Sequence, residues 1–105
     1  MKIYRIFSET GNCCYIGKTE ARLLSKRLAQ HKYNFINRIG ACSCWEVLKY
    51  NDCKIELVET LGENDNSKDR EKYYINNFKN TVNKYLHNDF RKKYNQPIRS
   101  FFIEY

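Results

Sequence analysis

The chain has 105 residues, 42% hydrophobic and 30% charged, which suits one compact domain and excludes a compositionally disordered chain. It contains no apolar run of about 20 residues that could cross a bilayer, and its charged, alternating start is unlike a signal peptide. We therefore expect an intracellular protein, in the cytoplasm or nucleus of a host cell. The net charge of +7 divides into +6 on residues 1–40, −3 on 41–63 and +4 on 64–105. This pattern suits a polyanion such as nucleic acid, and a solvated basic surface without a partner fits it equally well.

The chain starts with a predicted β-hairpin. Residues 2–7 are rich in β-branched and aromatic types and predict a strand. Residues 8–12 predict a turn, in which Gly11 and Asn12 can adopt positive φ. Residues 13–16 then predict a second, antiparallel strand that ends at Gly17.

A long amphipathic helix is predicted over residues 20–39, with Gly40 as its stop signal. At 100° per residue, four apolar side chains fall on one stripe. They are Leu24, Leu28, Phe35 and Ile39.

The second half of the chain alternates between helix and strand. Ser43 and Glu46 predict a capping box for a helix that runs to about Tyr50. Residues 54–59 alternate with period two and predict a third strand. Ser67 is the predicted cap of a further helix over residues 67–79.

After residue 80 the signal weakens, and residues 98–105 form an apolar tail behind Pro97. The predicted order is strand, strand, helix, helix, strand, helix. Because no regular βαβ repeat is present, we expect the α+β class, with a small three-stranded antiparallel sheet flanked by helices.

Five cysteines, an odd number, argue against a disulfide framework in an intracellular protein. The Cys13-Cys14 and Cys42-x-Cys44 spacings differ from the usual zinc spacing, and no histidine forms a ligand-like sequence pair with them. We interpret the thiols as mostly buried small apolar groups, with zinc binding as the weaker alternative.

The first helix carries a possible reactive pair. Arg27 and His31 are four residues apart and flank the apolar stripe, where a cation and an imidazole can point into a cleft. The alternative is an arginine whose stem covers apolar surface and a histidine at the surface.

The last predicted helix carries an acidic candidate. Glu71 shares the apolar stripe of Tyr74, Ile75 and Phe78, being three, four and seven residues before them. A carboxylate that faces a core needs a partner or a metal. The alternative is an acid favoured by the helix dipole in the first turn.

In combination these segments resemble the GIY-YIG nucleases. Residues 2–6 (Lys-Ile-Tyr-Arg-Ile) and 14–19 (Cys-Tyr-Ile-Gly-Lys-Thr) resemble the paired Gly-Ile-Tyr and Tyr-Ile-Gly motifs of that family. The Arg27-x-x-x-His31 pair resembles its first-helix arginine and following histidine. Residues 69–75 resemble the segment with the single metal-binding glutamate, and residues 83–84 resemble its late asparagine. The one departure is Lys2, where the motif has its first glycine.

The resemblance implies hydrolysis of DNA assisted by one divalent metal, Mg²⁺ or Mn²⁺. A two-metal site needs several clustered carboxylates, and Glu71 is the one acidic residue at the matched positions. Under this hypothesis Glu71 holds the metal, Arg27 stabilises the phosphate, and Tyr4 is the general base, with His31 as the alternative base. The remaining site candidates are Tyr15, which shapes the site, and Asn83, which orients a group. Two further residues are expected to bind substrate: Gly17, which permits close backbone approach, and Lys18, which contacts a neighbouring phosphate. The alternative for Lys18 is a solvated lysine.

We expect a nuclease domain over residues 1–87 and a basic, aromatic extension over 88–105. The main alternative is a catalytically inactive nucleic-acid-binding module of the same fold, for which Lys2 is the sequence feature. A third hypothesis is an interaction protein that uses the apolar tail. A dimer is compatible with all three hypotheses.

Overall fold

The computed structural model describes residues 1–84 and has the predicted order of elements. The sheet has three strands in the order β2-β1-β3, and both pairings are antiparallel. The predicted α+β class with a small antiparallel sheet is therefore confirmed. In chain order the elements are β1 (Lys2–Ser8), β2 (Cys13–Thr19), α1 (Leu24–Asn37), α2 (Trp45–Leu48), β3 (Lys54–Thr60), α3 (Ser67–Asn77) and a 3-10 turn (Val82–Lys84).

The central strand β1 divides the core into two clusters. Because side chains alternate along a strand, Tyr4 and Ile6 point to one face and Ile3 to the other. The Tyr4 face is covered by α1 and α2, where Trp45 is the largest buried side chain. The Ile3 face is covered by α3 and contains Ile16 from β2. The sheet thus separates α1 from α3.

Helix α1 is shorter at both ends than the predicted 20–39. It begins at Leu24, and it ends at Asn37 because Arg38 adopts a left-handed conformation with φ of 57°. The Arg38 backbone N–H then closes the helix on the Asn34 and Phe35 carbonyls. Leu24, Leu28 and Phe35 pack on the core as predicted. Ile39 lies beyond the helix and is 45% exposed, so the prediction that it belongs to the apolar stripe was wrong.

The two predicted serine caps are also wrong. Helix α2 is a single turn whose N-cap residue is Cys44, and no side chain caps it. Glu46 is buried instead of reaching back to Ser43. The cap of α3 is Asn66, whose side chain accepts a hydrogen bond from the Asp69 N–H. Asn66 precedes Ser67 and is itself a strong cap residue, which explains the shift by one position.

The outer edge of β2 is closed by the chain that follows α3. The Cys14 N–H donates to the Asn80 carbonyl at 3.1 Å, and Thr81 forms a bridge with Cys14. At Ile16 the side-chain amide of Asn83 takes over, because its Oδ1 accepts from the Ile16 N–H at 2.8 Å and its Nδ2 donates to the Ile16 carbonyl at 2.7 Å. One side chain therefore imitates the next strand of the sheet.

Several expectations lie outside the described residues. They concern the domain boundary at residues 87 and 88 and the apolar tail at 98–105. The helices described in residues 1–84 all lack the length and apolar character of a membrane span.

Replacing Asn83 tests its role at the strand edge. We expect Asn83→Ala to lower the free energy of unfolding by about 2 kcal/mol, because it leaves two backbone groups of Ile16 unpaired. Urea denaturation measures the difference. Asn76→Ala, at an exposed position of α3, is the matched control and should be neutral or slightly stabilising. Equal midpoints for Asn83→Ala and the wild type would contradict this role.

Candidate active site

The Tyr4 hydroxyl is the centre of a hydrogen-bonded set of side chains, Tyr4, Arg27 and His31, which we call the Tyr4 group. Its oxygen lies 2.7 Å from Nε2 of His31 and 3.3 Å from Nε of Arg27, which donates to it. Arg27 and His31 face the same point because they are one helical turn apart on α1. Tyr4 reaches them from the face of β1 that α1 covers. The structure therefore brings a phenol, an imidazole and a guanidinium to one place.

Burial sets the charge state of this group. Tyr4 is 0% exposed and His31 is 6% exposed, so the interpretation of His31 as a surface histidine is wrong. Burial raises the pKa of Tyr4 to about 12, against a lowering effect of Arg27. Burial and the Arg27 charge together lower the pKa of His31 to about 4. At neutral pH both the phenol and the imidazole are therefore uncharged.

Of the two groups that contact the Tyr4 oxygen, His31 is the one that can accept the hydroxyl proton. The Tyr4 oxygen accepts from the Arg27 N–H, so the hydroxyl can donate its own proton to Nε2 of His31. Nδ1 of His31 then carries the ring proton and faces the Cys44 sulfur at 3.4 Å. In this tautomer His31 is the proton acceptor for Tyr4.

Tyr15 and Gly17 complete this side of the sheet. The Tyr15 ring centroid lies 6.4 Å from that of Tyr4 and 5.9 Å from that of His31. Gly17 pairs with Tyr4 across the hairpin, and a Cβ at Gly17 would overlap the ring and hydroxyl of Tyr4. The close approach expected at Gly17 is therefore made by Tyr4.

Glu71 and Lys18 lie on the opposite face of the sheet. Lys18 alternates with Gly17 on β2, and its Nζ lies 3.4 Å from Oγ of Ser67 at the start of α3. Burial raises the pKa of the Glu71 carboxyl, and the Lys18 charge opposes that effect. These two residues are thus separated from the Tyr4 group by the edge strand β2.

The Glu71 carboxylate fits a single hydrated metal ion. It is half-buried, and no other residue of the described chain forms a hydrogen bond or salt bridge with it. Glu59, on the same face of the sheet, is already bound by Arg70 at 2.9 Å and by the Tyr74 hydroxyl at 3.0 Å. One available carboxylate suits Mg²⁺, which keeps several waters when it binds to protein.

Asn83 and Lys2 act on the frame of the site. The Asn83 amide is occupied by the Ile16 backbone, so it positions β2 between the two groups. Lys2 stands where the family motif has glycine, and its Nζ donates to the Ala21 carbonyl at 3.2 Å and the Arg22 carbonyl at 2.6 Å. The lysine thereby ties β1 to the loop that leads into α1.

Sequence reasoning missed the environment of His31. Cys42 and Cys44 lie beside it, and the ligand atoms of the three residues all lie within 4.8 Å of one another. The hydrogen bond between the two thiols lowers the pKa of Cys42 and raises that of Cys44. His31 and Cys42 are eleven positions apart in a spacing without a known signature, so the sequence carried no signal for this contact.

Comparison with protein families identifies the family of the chain. The family model described as the GIY-YIG catalytic domain matches residues 1–86. No curated protein and no solved structure matches the chain. The matched range covers most of the 105 residues and includes the Tyr4 group, Glu71 and Asn83. The chain therefore belongs to the GIY-YIG family of nucleases, which implies nuclease activity in general.

Proposed function

We propose that the protein is an endonuclease that hydrolyses DNA phosphodiester bonds with one divalent metal ion, Mg²⁺ or Mn²⁺. The observation that carries the proposal is the contact of the Tyr4 hydroxyl with both His31 and Arg27. The net charge of +7 supports a polyanionic substrate. Membership of a nuclease family supports the reaction class.

Glu71 is the proposed metal ligand. Its carboxylate is half-buried and available, and Lys18 beside it can contact a neighbouring phosphate. When bound, a divalent ion there supplies positive charge to the phosphate oxygens and orients them. A second ion is not part of the proposal, because Glu59 is already paired with Arg70.

Arg27 has two proposed tasks. Its guanidinium stabilises the negative charge that develops on the scissile phosphate. In the free protein the same side chain donates to the Tyr4 oxygen. When the guanidinium turns to a phosphate, it leaves that oxygen open to the attacking water.

Tyr4 and His31 together remove the proton from that water. A phenol with a pKa of about 12 is mostly protonated at neutral pH, so Tyr4 needs an acceptor for its own proton. Nε2 of His31, 2.7 Å away, is that acceptor. The Tyr4 oxygen takes the proton from water while its hydroxyl proton passes to His31. The two alternative bases of the sequence hypothesis thus become consecutive members of one proton path.

The remaining residues fix the positions of the Tyr4 group and of Glu71 relative to each other. Gly17 gives Tyr4 its space, Tyr15 packs against the ring of His31, and Asn83 fixes β2. The DNA backbone must reach both Arg27 and Glu71, so it crosses the edge of the sheet at Gly17 and Lys18. An inactive binding module of the same fold remains as the competing outcome, with DNA binding and no cleavage.

Removing either charge at the phosphate should abolish most of the activity. We expect Glu71→Gln and Arg27→Gln each to slow Mg²⁺-dependent nicking of a supercoiled plasmid by about 100-fold or more, by analogy with loss of an electrostatic stabiliser. Glu63→Gln and Lys26→Gln are matched controls at exposed positions and should stay within a few-fold of the wild type. A wild type that binds DNA but shows no metal-dependent nicking supports the inactive module and refutes the proposal.

The hydroxyl of Tyr4 should be needed for the chemical step. Tyr4→Phe keeps the ring and removes the proton path, so we expect cleavage to slow by about 100-fold, within the usual range for general bases. Tyr33→Phe removes a hydroxyl from an exposed position on α1 and should leave the rate unchanged. Full activity in Tyr4→Phe excludes Tyr4 from proton transfer.

The protonation of His31 can be measured directly. The chain has two histidines, so a His87→Gln variant leaves one imidazole signal for NMR titration. We expect a midpoint near pH 4, with His31 neutral above it, because burial and Arg27 disfavour the charged ring. Arg27→Gln should raise the midpoint. The wild-type cleavage rate should then show no loss from histidine protonation between pH 7 and pH 5. A midpoint near 6.5, the ordinary value, contradicts the buried neutral imidazole.

A further inference from the structure

Two cysteines approach His31 from the side opposite Tyr4. Nδ1 of His31 lies 3.4 Å from Sγ of Cys44, and the ligand atoms of His31, Cys42 and Cys44 all lie within 4.8 Å of one another. The thiols come from the segment just before α2, and Cys44 is the N-cap residue of that helix. Neither thiol has a part in the proposed cleavage reaction.

The separations suit a tetrahedral metal ion. With metal–sulfur and metal–nitrogen bonds of ordinary length, the S···N edge of a tetrahedral zinc site is about 3.6 Å. The observed 3.4 Å between Cys44 and His31 is close to that edge. The Cys44 backbone N–H donates to the Cys42 sulfur at 3.4 Å, a contact that favours a thiolate at that position. Small side-chain rotations therefore complete a three-ligand site.

The other nitrogen of His31 already has the partner that a metal-bound histidine needs. A ligating imidazole normally donates its second ring N–H to an oxygen, which fixes the ring orientation. Nε2 of His31 lies 2.7 Å from the Tyr4 hydroxyl. Cys42 is partly exposed and gives access from solvent, while His31 and Cys44 are buried. The cluster is thus buried at His31 and Cys44 and accessible to solvent at Cys42.

We propose that His31, Cys42 and Cys44 form a second metal site, which binds Zn²⁺ or another thiophilic divalent ion and not Mg²⁺. Imidazole and thiolate ligands select such ions, whereas Mg²⁺ requires oxygen. The protein supplies three ligands, and water fills the fourth position. Both thiols bind as thiolates and release their protons to solvent, so the complex of two thiolates with Zn²⁺ is neutral. The nearby Arg27 guanidinium faces no added positive charge.

Occupancy of this site has a consequence that rests on the proposed function. With a metal on Nδ1, Nε2 of His31 carries the ring proton and donates it to Tyr4. His31 can then no longer accept the Tyr4 proton. Zn²⁺ at this site therefore inhibits cleavage although it lies outside the Glu71 metal site.

Titration of the full-length, reduced protein with Co²⁺ tests the binding. We expect saturation at one equivalent, with a sulfur-to-metal charge-transfer band and the visible bands of tetrahedral Co²⁺, all removed by one equivalent of Zn²⁺. Cys42→Ser and Cys44→Ser should lose this tight binding. Cys13→Ser, partly exposed, and Cys53→Ser, buried, are matched controls that should retain it. Tyr4→Phe should weaken binding by about 10- to 100-fold, because it removes the outer partner of His31.

The absence of the charge-transfer band in the wild type overturns the proposal, and so does an equal band in Cys42→Ser and Cys44→Ser. Since Cys44 is buried and its replacement can unfold the chain, circular dichroism accompanies each titration and the partly exposed Cys42→Ser decides. Plasmid nicking in Mg²⁺ gives the second readout. One equivalent of Zn²⁺ should slow the wild type and spare Cys42→Ser, and equal inhibition of both overturns the inhibitory role. A protein that shows the Co²⁺ spectrum but never cleaves DNA retains this site while the proposed function fails.

Discussion

The hydrogen bond between Tyr4 and His31 is the contact on which the rest of the site depends. It joins the central strand to α1 in the core, and both partners are uncharged there because burial disfavours their charged forms. In the proposed relay the proton that Tyr4 gives to His31 is replaced by one from water, so the phenol stays neutral and the positive charge comes to rest on the imidazole. Gly17 makes the contact possible, since any larger residue would occupy the space of the Tyr4 hydroxyl. The two family motifs thus meet physically, with the tyrosine of one lying over the glycine of the other.

The edge strand β2 supports the site and also separates its two parts, which lie on opposite faces of the sheet. Arg27 lies on the α1 face, whereas Glu71 lies on the α3 face, so the proposed mechanism requires one phosphodiester to contact the protein around the edge of the sheet. Free backbone groups along that edge would be a template for pairing with another chain. The chain after α3 solves this problem by pairing at Cys14 and by the Asn83 amide at Ile16. Asn83, which the sequence predicted to orient a group by hydrogen bonding, therefore acts on the strand that separates Arg27 from Glu71.

The sequence predicted the features that depend on local pattern or on several motifs in order. Strand alternation, the hairpin and the order of elements follow from hydrophobic periodicity, and the two tyrosine motifs with Arg27 and Glu71 indicated the family. Helix ends were less predictable. Helix α1 ends at the left-handed backbone conformation of Arg38, and α3 begins at Asn66, which takes the cap position in place of the neighbouring Ser67. The cysteine contacts of His31 could not be predicted, since they arise where α1 and the segment before α2 meet in three dimensions. His31 is buried by the same packing of α1 against the segment before α2. Its position in the helix alone therefore indicated only the border of the apolar stripe.

A double-mutant cycle on Tyr4 and His31 tests the central claim most directly. If the two side chains form one proton path, the first loss disables the path and the second removes little more. The account predicts that Tyr4→Phe, His31→Gln and the combined variant cleave a plasmid in Mg²⁺ at similar, strongly reduced rates, while all three still bind DNA. Independent roles would instead make the two losses multiply, and a combined variant slower than either single variant by the full product of their effects would contradict the account.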